Sequence, residues 1–155
     1  MIINGKTLLQ AAPIKDMLDS KQRFNGISYG LSEAGYDIRV KQDLNFGHMT
    51  LWGKAARFQL ASAIEEFQMP DNLVAIVHDK SSLARQGVSV FNTVIEPGWK
   101  GFLTLEIVYH GNSPIRIPAG TGIAQVIFHQ VKEPASYDGK YQNQADMPVA
   151  AKFEF

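Results

Sequence analysis

Two short stretches of this sequence concentrate groups that could do chemistry. Lys80-Ser81-Ser82-Leu83-Ala84-Arg85 sets two cations, two hydroxyls and several backbone N–H groups within six residues, just after the apolar run Leu73–Val77. If Ser81 to Arg85 makes a helical turn, its free N–H groups and positive dipole end face the exit of the preceding strand. That arrangement suits a phosphate chain, with Arg85 able to grip two oxygens at once. An ordinary serine-capped turn would use the same residues, and their spacing alone does not choose.

Glu106 is the second feature. It stands in Phe102-Leu103-Thr104-Leu105-Glu106-Ile107-Val108-Tyr109, apolar but for Thr104. Strand alternation puts Glu106 on one face with Phe102, Thr104 and Val108, and Leu103, Leu105, Ile107 and Tyr109 on the other. A carboxylate there meets either solvent or a pocket. In a pocket, burial would raise its pKa and suit it to moving protons. Between the two features lies Val94-Ile95-Glu96-Pro97-Gly98-Trp99-Lys100-Gly101. Trp99 is either core or pocket wall, and Glu96 either caps the turn or contacts a sugar or water.

Short elements must position these groups. Thr7 to Leu18 reads as a short helix or helical turn limited by Pro13. Phe24 to Gly35, rich in Gly and Ser, reads as loop. Short strands are expected at Tyr36–Val40, Arg57–Ala61, Leu73–Val77, Val88–Phe91, Phe102–Tyr109, Ile115–Ile117 and Ile123–Val131. Turn clusters such as Met69-Pro70-Asp71-Asn72 and Gly111-Asn112-Ser113-Pro114 separate them. The pattern predicts an all-β sandwich, jelly roll or barrel. From Pro134 the chain turns polar, and 134–155 reads either as a frayed end or as a tail folding over a ligand.

Composition narrows the classes. The 155 residues fit one domain spanning 1–155, and a hydrophobic fraction of 45% is enough for a core. Formal charges cancel, 15 Lys and Arg against 15 Asp and Glu, which argues against a nucleic-acid footprint. With no cysteine, there is no disulfide, thiol nucleophile or cysteine-held zinc. His48, His78, His110 and His129 show no paired ligand spacing, so no histidine metal site is expected. The longest apolar run is too short to span a bilayer, and the N-terminus lacks a signal-peptide pattern. A cytoplasmic protein without membrane attachment is expected.

Taken in order, several motifs together resemble the dCTP deaminase branch of the dCTP deaminase/dUTPase superfamily. They are Tyr36-Asp37-Ile38-Arg39-Val40, Ser81 to Gly87, Ile95 to Gly101, Leu105-Glu106, Gly120 to Phe128 and Lys140-Tyr141-Gln142-Asn143-Gln144. The resemblance implies a mainly β fold: a distorted jelly-roll β-barrel of the dUTPase-like type with a short N-terminal helix. It further implies a homotrimer with pockets shared between subunits, and Mg²⁺ carried on the nucleotide triphosphate rather than on protein ligands. By the same resemblance, Lys80, Ser81, Ser82 and Arg85 match the phosphate loop, and Glu106 the catalytic glutamate. Thr104 and Leu105 match residues reading the base through their backbone, Glu96 the sugar contact, and Tyr137, Lys140 and Gln144 the tail's nucleotide contacts. Ser81 and Arg85 would also position the water.

Three positions depart from the pattern. Lys80 replaces an arginine, losing the bidentate fork. Glu96 replaces an aspartate one methylene shorter. Phe91-Asn92-Thr93-Val94-Ile95 is about two residues shorter than the family's loop and lacks its Thr-Ala-His-Arg run. The resemblance implies zinc-independent deamination of dCTP to dUTP, with dUTP cleavage to dUMP as an additional activity of bifunctional members. The alternatives are a dUTPase or other dNTP pyrophosphatase, in which Glu96 or Glu106 activates water, and an idle nucleotide-binding homologue.

Overall fold

A computed structural model describes residues 1–47, 56–91 and 93–153. His48, Asn92 and the last two positions of the 134–155 tail lie outside the described residues. The chain opens with β1 (Ile2–Ile3), α1 (Gly5–Ala11), β2 (Lys21–Phe24) and β3 (Ile27–Leu31). β4 (Tyr36–Arg39), β5 (Leu44–Phe46), β6 (Phe58–Gln68) and β7 (Leu73–Asp79) follow. A one-turn helix, α2 (Ser81–Ala84), leads to β8 (Val88–Val90), β9 (Val94–Ile95) and β10 (Lys100–Tyr109). β11 (Ile115–Ile117) and β12 (Gly122–Gln130) come last.

The larger sheet runs β2-β3-β4-β12-β7-β9, with β1 also pairing β12. A second sheet runs β6-β10-β8, and β11 pairs with β5. All these strand pairs are antiparallel, and a Val40–Ala63 bridge joins the two larger sheets. Ile38, Val77, Val126 and Phe128 from one sheet, and Ala61, Ala63, Leu105 and Ile107 from the other, belong to one contiguous buried core. The protein is therefore mainly β, as the turn-separated apolar runs predict. Among the described residues no helix is long and apolar enough to cross a membrane.

Two elements differ from their expected form. The helix expected over Thr7–Leu18 ends at Ala11, where Ala12 turns left-handed and its N–H donates to Leu8 O at 3.0 Å. Pro13 has no N–H to extend the ladder and disfavours helical backbone before it. Beyond it, Ile14 bridges Phe67 instead. The expected loop Phe24–Gly35 contains most of a hairpin: β2 and β3 pair Phe24 with Ile27 across Asn25-Gly26. Both turn residues have positive φ, 49° and 78°, the geometry whose twist matches antiparallel strands and which Asn-Gly adopts readily.

One ion pair couples β4 to β6. Glu65 accepts from the Arg39 backbone N–H and from Arg39 Nε, both at 2.8 Å. Burial nevertheless pushes the Glu65 carboxyl above its ordinary value, because desolvation outweighs the arginine's attraction. The core contributes more surely. Phe128, fully buried on β12, should lose about 3–5 kcal/mol of stability as Phe128→Ala, measured by urea unfolding. A loss below about 1 kcal/mol would contradict its central place in the core.

Candidate active site

β10 builds the centre of the site. Leu103, Leu105, Ile107 and Tyr109 are buried towards the core, while Glu106 and Val108 on the other face are only partly covered. Pairing with β6 (Glu106 opposite Leu60) and with β8 (Ile107 opposite Val90) fixes this alternation. Glu106 consequently opens into a cleft of about 470 Å³ lined by Leu60, Glu96, Trp99, Thr104, Tyr137 and Gln144, among others. Its Oε2 is buried without a hydrogen-bond partner among the described residues. Burial pushes this carboxyl above the ordinary glutamate value, outweighing a backbone hydrogen bond that lowers it. Such a group is suited to accept a proton and return it.

The polar tail closes one side of this cleft. Gln144 forms a parallel bridge with Gly101, and its carbonyl accepts from Phe102 N at 3.0 Å. Only glycine permits so close an approach: a Cβ on residue 101 would fall 2.4 Å from Gln144 N, and φ there is 130°. Thr104 Oγ1 accepts from Gln144 Nε2 and, at 3.0 Å, from Val149 N. Trp99 serves as both core and wall, since it is buried, lines the cleft and donates from Nε1 to Tyr141 O at 2.7 Å. Gln142 ties the turn before β10 by accepting from Lys100 N at 2.8 Å and donating to Gly98 O at 3.0 Å.

The expected residues divide into two groups. Glu106, Thr104, Glu96, Tyr137 and Gln144 share the cleft. Leu105 points its side chain into the core, and Lys140 is exposed beside Tyr141 with its Nζ 5.3 Å from that ring. Ser81, Ser82 and Arg85 are exposed at α2, are absent from the cleft lining, and their side chains have no partner among the described residues. Lys80 is engaged internally: its Nζ lies 2.5 Å from Asp37 Oδ2 and 3.0 Å from Ser28 Oγ. The cleft also uses Phe58, Leu60, Tyr141 and Val149, which sequence reasoning did not select. Of these only Tyr141 carried a signal, through its place in the polar run Lys140–Gln144.

This is a dUTPase-like fold. The EIAV dUTPase superimposes with a TM-score of 0.55 at 23% identity, covering 84% of this chain and 93% of that one. The 2'-deoxycytidine 5'-triphosphate deaminase from Agrobacterium tumefaciens gives a TM-score of 0.58 at 16% identity, covering 84% of this chain and 49% of that one. A family model described as dCTP deaminase-like matches residues 45–131. The dCTP deaminase of Protochlamydia amoebophila is 35% identical, covering 91% of this chain and 92% of its relative. That of Campylobacter concisus is 39% identical, covering 76% and 78%. The chain belongs to the dCTP deaminase family.

The raised Glu106 pKa makes a prediction about stability. Its proton binds more tightly in the folded state, so its contribution is full below 4.5 and is lost as pH climbs through the raised value. Glu106→Gln removes that loss. At about pH 7.5 the variant should melt at or above the wild-type temperature, with the gap closing below pH 4.5. A variant that melts lower at neutral pH would show that the ionised carboxylate is stabilised by its surroundings.

Proposed function

We propose that the protein hydrolyses dCTP to dUTP and ammonia, with Glu106 carrying the protons and no zinc involved. The observation that carries this reading is the buried Oε2 of Glu106, unpartnered among the described residues, inside the cleft of a dCTP deaminase family member. Ionised Glu106 takes a proton from water as the hydroxide adds to C4 of cytosine. The protonated carboxyl gives its proton to N3, then takes the proton of the new C4 hydroxyl and passes it to the amine, so that C4–N breaks as ammonia leaves and a C4 carbonyl and an N3–H remain. Mg²⁺ enters on the phosphates as part of the substrate.

The cleft's charge also bears on assembly. It contains the carboxylates of Glu96 and Glu106, and no Lys, Arg or His among its described lining residues. A triphosphate cannot be held by such a surface alone. The nucleotide would therefore lie between subunits of a homotrimer, with Ser81, Ser82 and Arg85 supplied by a second copy. Arg85 would grip phosphate oxygens, Glu96 would meet the sugar, and Tyr137, Lys140 and Gln144 would close over the nucleotide. Lys80, held by Asp37, would anchor the loop more than touch phosphate.

Incubation with Mg²⁺ and dCTP should release ammonia, and Glu106→Gln should slow this by about 10²–10⁴-fold. The acid limb of kcat/KM should lie above 4.5, because the base must be ionised and its pKa is raised. Further conversion to dUMP and pyrophosphate would add dUTP cleavage. Pyrophosphate from dUTP with no ammonia from dCTP would replace the proposal by a dUTPase, and silence on both by a binding homologue.

Shared sites have their own signature. Glu106→Gln and Arg85→Gln subunits, each inactive alone, should regain about a quarter of wild-type activity when unfolded and reassembled in equal amounts, as random pairing predicts. A mixture as inactive as its parents would place both residues in a site within one chain.

A further inference from the structure

The cleft changes character along β10. On the face that carries Glu106, the strand presents Thr104, Glu106 and Val108 in turn. Polar groups stand at the Thr104 end, where its hydroxyl meets the Gln144 amide. The other end is hydrocarbon. Leu60 lies opposite Glu106 in the β6 pairing and Phe58 opposite Val108, and both line the cleft. Phe91 backs the Phe58 ring, with centroids 6.3 Å apart and planes tilted by 35°. Phe91 is itself tied to β10, its N–H donating to Glu106 O at 3.0 Å. Val94 adds a further apolar side chain to the lining. Phe91 and Val94 both belong to the shortened stretch 91–95, where the family's Thr-Ala-His-Arg run is missing.

A cytosine ring is divided in the same way. From C4, one edge runs through N3 and O2, which accept hydrogen bonds, and the other through C5 and C6, which bear only C–H. With C4 at Glu106, the acceptor edge belongs at the Thr104 end, because against hydrocarbon it would lose its hydrogen bonds. C5 then points towards Phe58. We propose, on the basis of the dCTP substrate inferred above, that Phe58, Leu60 and Val94 form a subsite for an apolar substituent on C5, so that C5-methylated dCTP is a substrate of this chain. The change at C4 is the same as for dCTP: water enters, ammonia leaves, and the methyl group stays on C5. Moving one methyl group from water onto this wall strengthens binding about three- to fourfold.

Binding is read by titration calorimetry with Mg²⁺ on Glu106→Gln protein, so that turnover does not consume the nucleotide. 5-Methyl-dCTP should bind about three- to fourfold more tightly than dCTP. Phe58→Ala in the same background should bring that ratio to about one, and Phe58→Leu should keep most of it, since leucine still offers hydrocarbon. Wild-type protein should release ammonia from 5-methyl-dCTP. Equal or weaker binding of the methylated nucleotide would overturn the subsite, as would a ratio that Phe58→Ala leaves unchanged. So would a ratio lost as fully in Phe58→Leu, because disturbed packing against Phe91 would then be responsible. Ammonia from dCTP but none from 5-methyl-dCTP would also overturn it. If neither nucleotide binds, substrate and subsite fall together; dCTP bound without a methyl gain removes the subsite and leaves the substrate standing.

Discussion

The site depends on the register of one strand. β10 places successive side chains on opposite faces, so a slip of one residue would exchange Glu106 for Leu105 or Ile107. The carboxylate would enter the core and a leucine or isoleucine would face the cleft. Pairing on both sides prevents this, with β6 running along nearly the whole strand and β8 along its end. The hydrophobic cost of misregister and the position of the Glu106 carboxylate are thus the same constraint. A cleft-facing carboxylate can be accurately placed here because its neighbours have only one acceptable face.

Around that strand, polarity is distributed unevenly. The cleft is largely apolar and holds two carboxylates; burial raises the proton affinity of Glu106, and no cation stands among the described lining residues. Described cations lie elsewhere, among them Arg85, exposed just after α2, and Lys140 and Lys152 beside the Tyr141 ring. The separation is chemically sensible. A cation beside Glu106 would lower its pKa, whereas a cation outside the cleft does so far less.

Glu106 was legible in the sequence because a carboxylate in an otherwise apolar strand conflicts with its surroundings. Its pocket was not, since Leu60 and Phe58 arrive from a strand more than 40 residues upstream. Lys80 could be read as a phosphate ligand because the sequence places it beside Ser81 and Arg85. Its actual partner, Asp37, is 43 residues away in sequence and is brought near by β12, which pairs with both β4 and β7. The β2–β3 hairpin was obscured by its Gly and Ser content, although Asn25-Gly26 was the informative pair. The tail's docking was hidden for a different reason: its ties run through backbone groups and amides, such as Gln142 and Gln144, and such polarity also describes a solvated end.

Thr104 shows how docking of the tail alters the vocabulary of the site. A hydroxyl has two lone pairs and one proton, and both lone pairs of Thr104 Oγ1 are occupied by Gln144 Nε2 and Val149 N. With the tail in place, this oxygen can no longer receive a hydrogen bond from an incoming ring. It can only give one. A pyrimidine meeting Thr104 would therefore be recognised through an acceptor atom, such as a carbonyl oxygen, and an amino group in that position would face an oxygen with no vacancy.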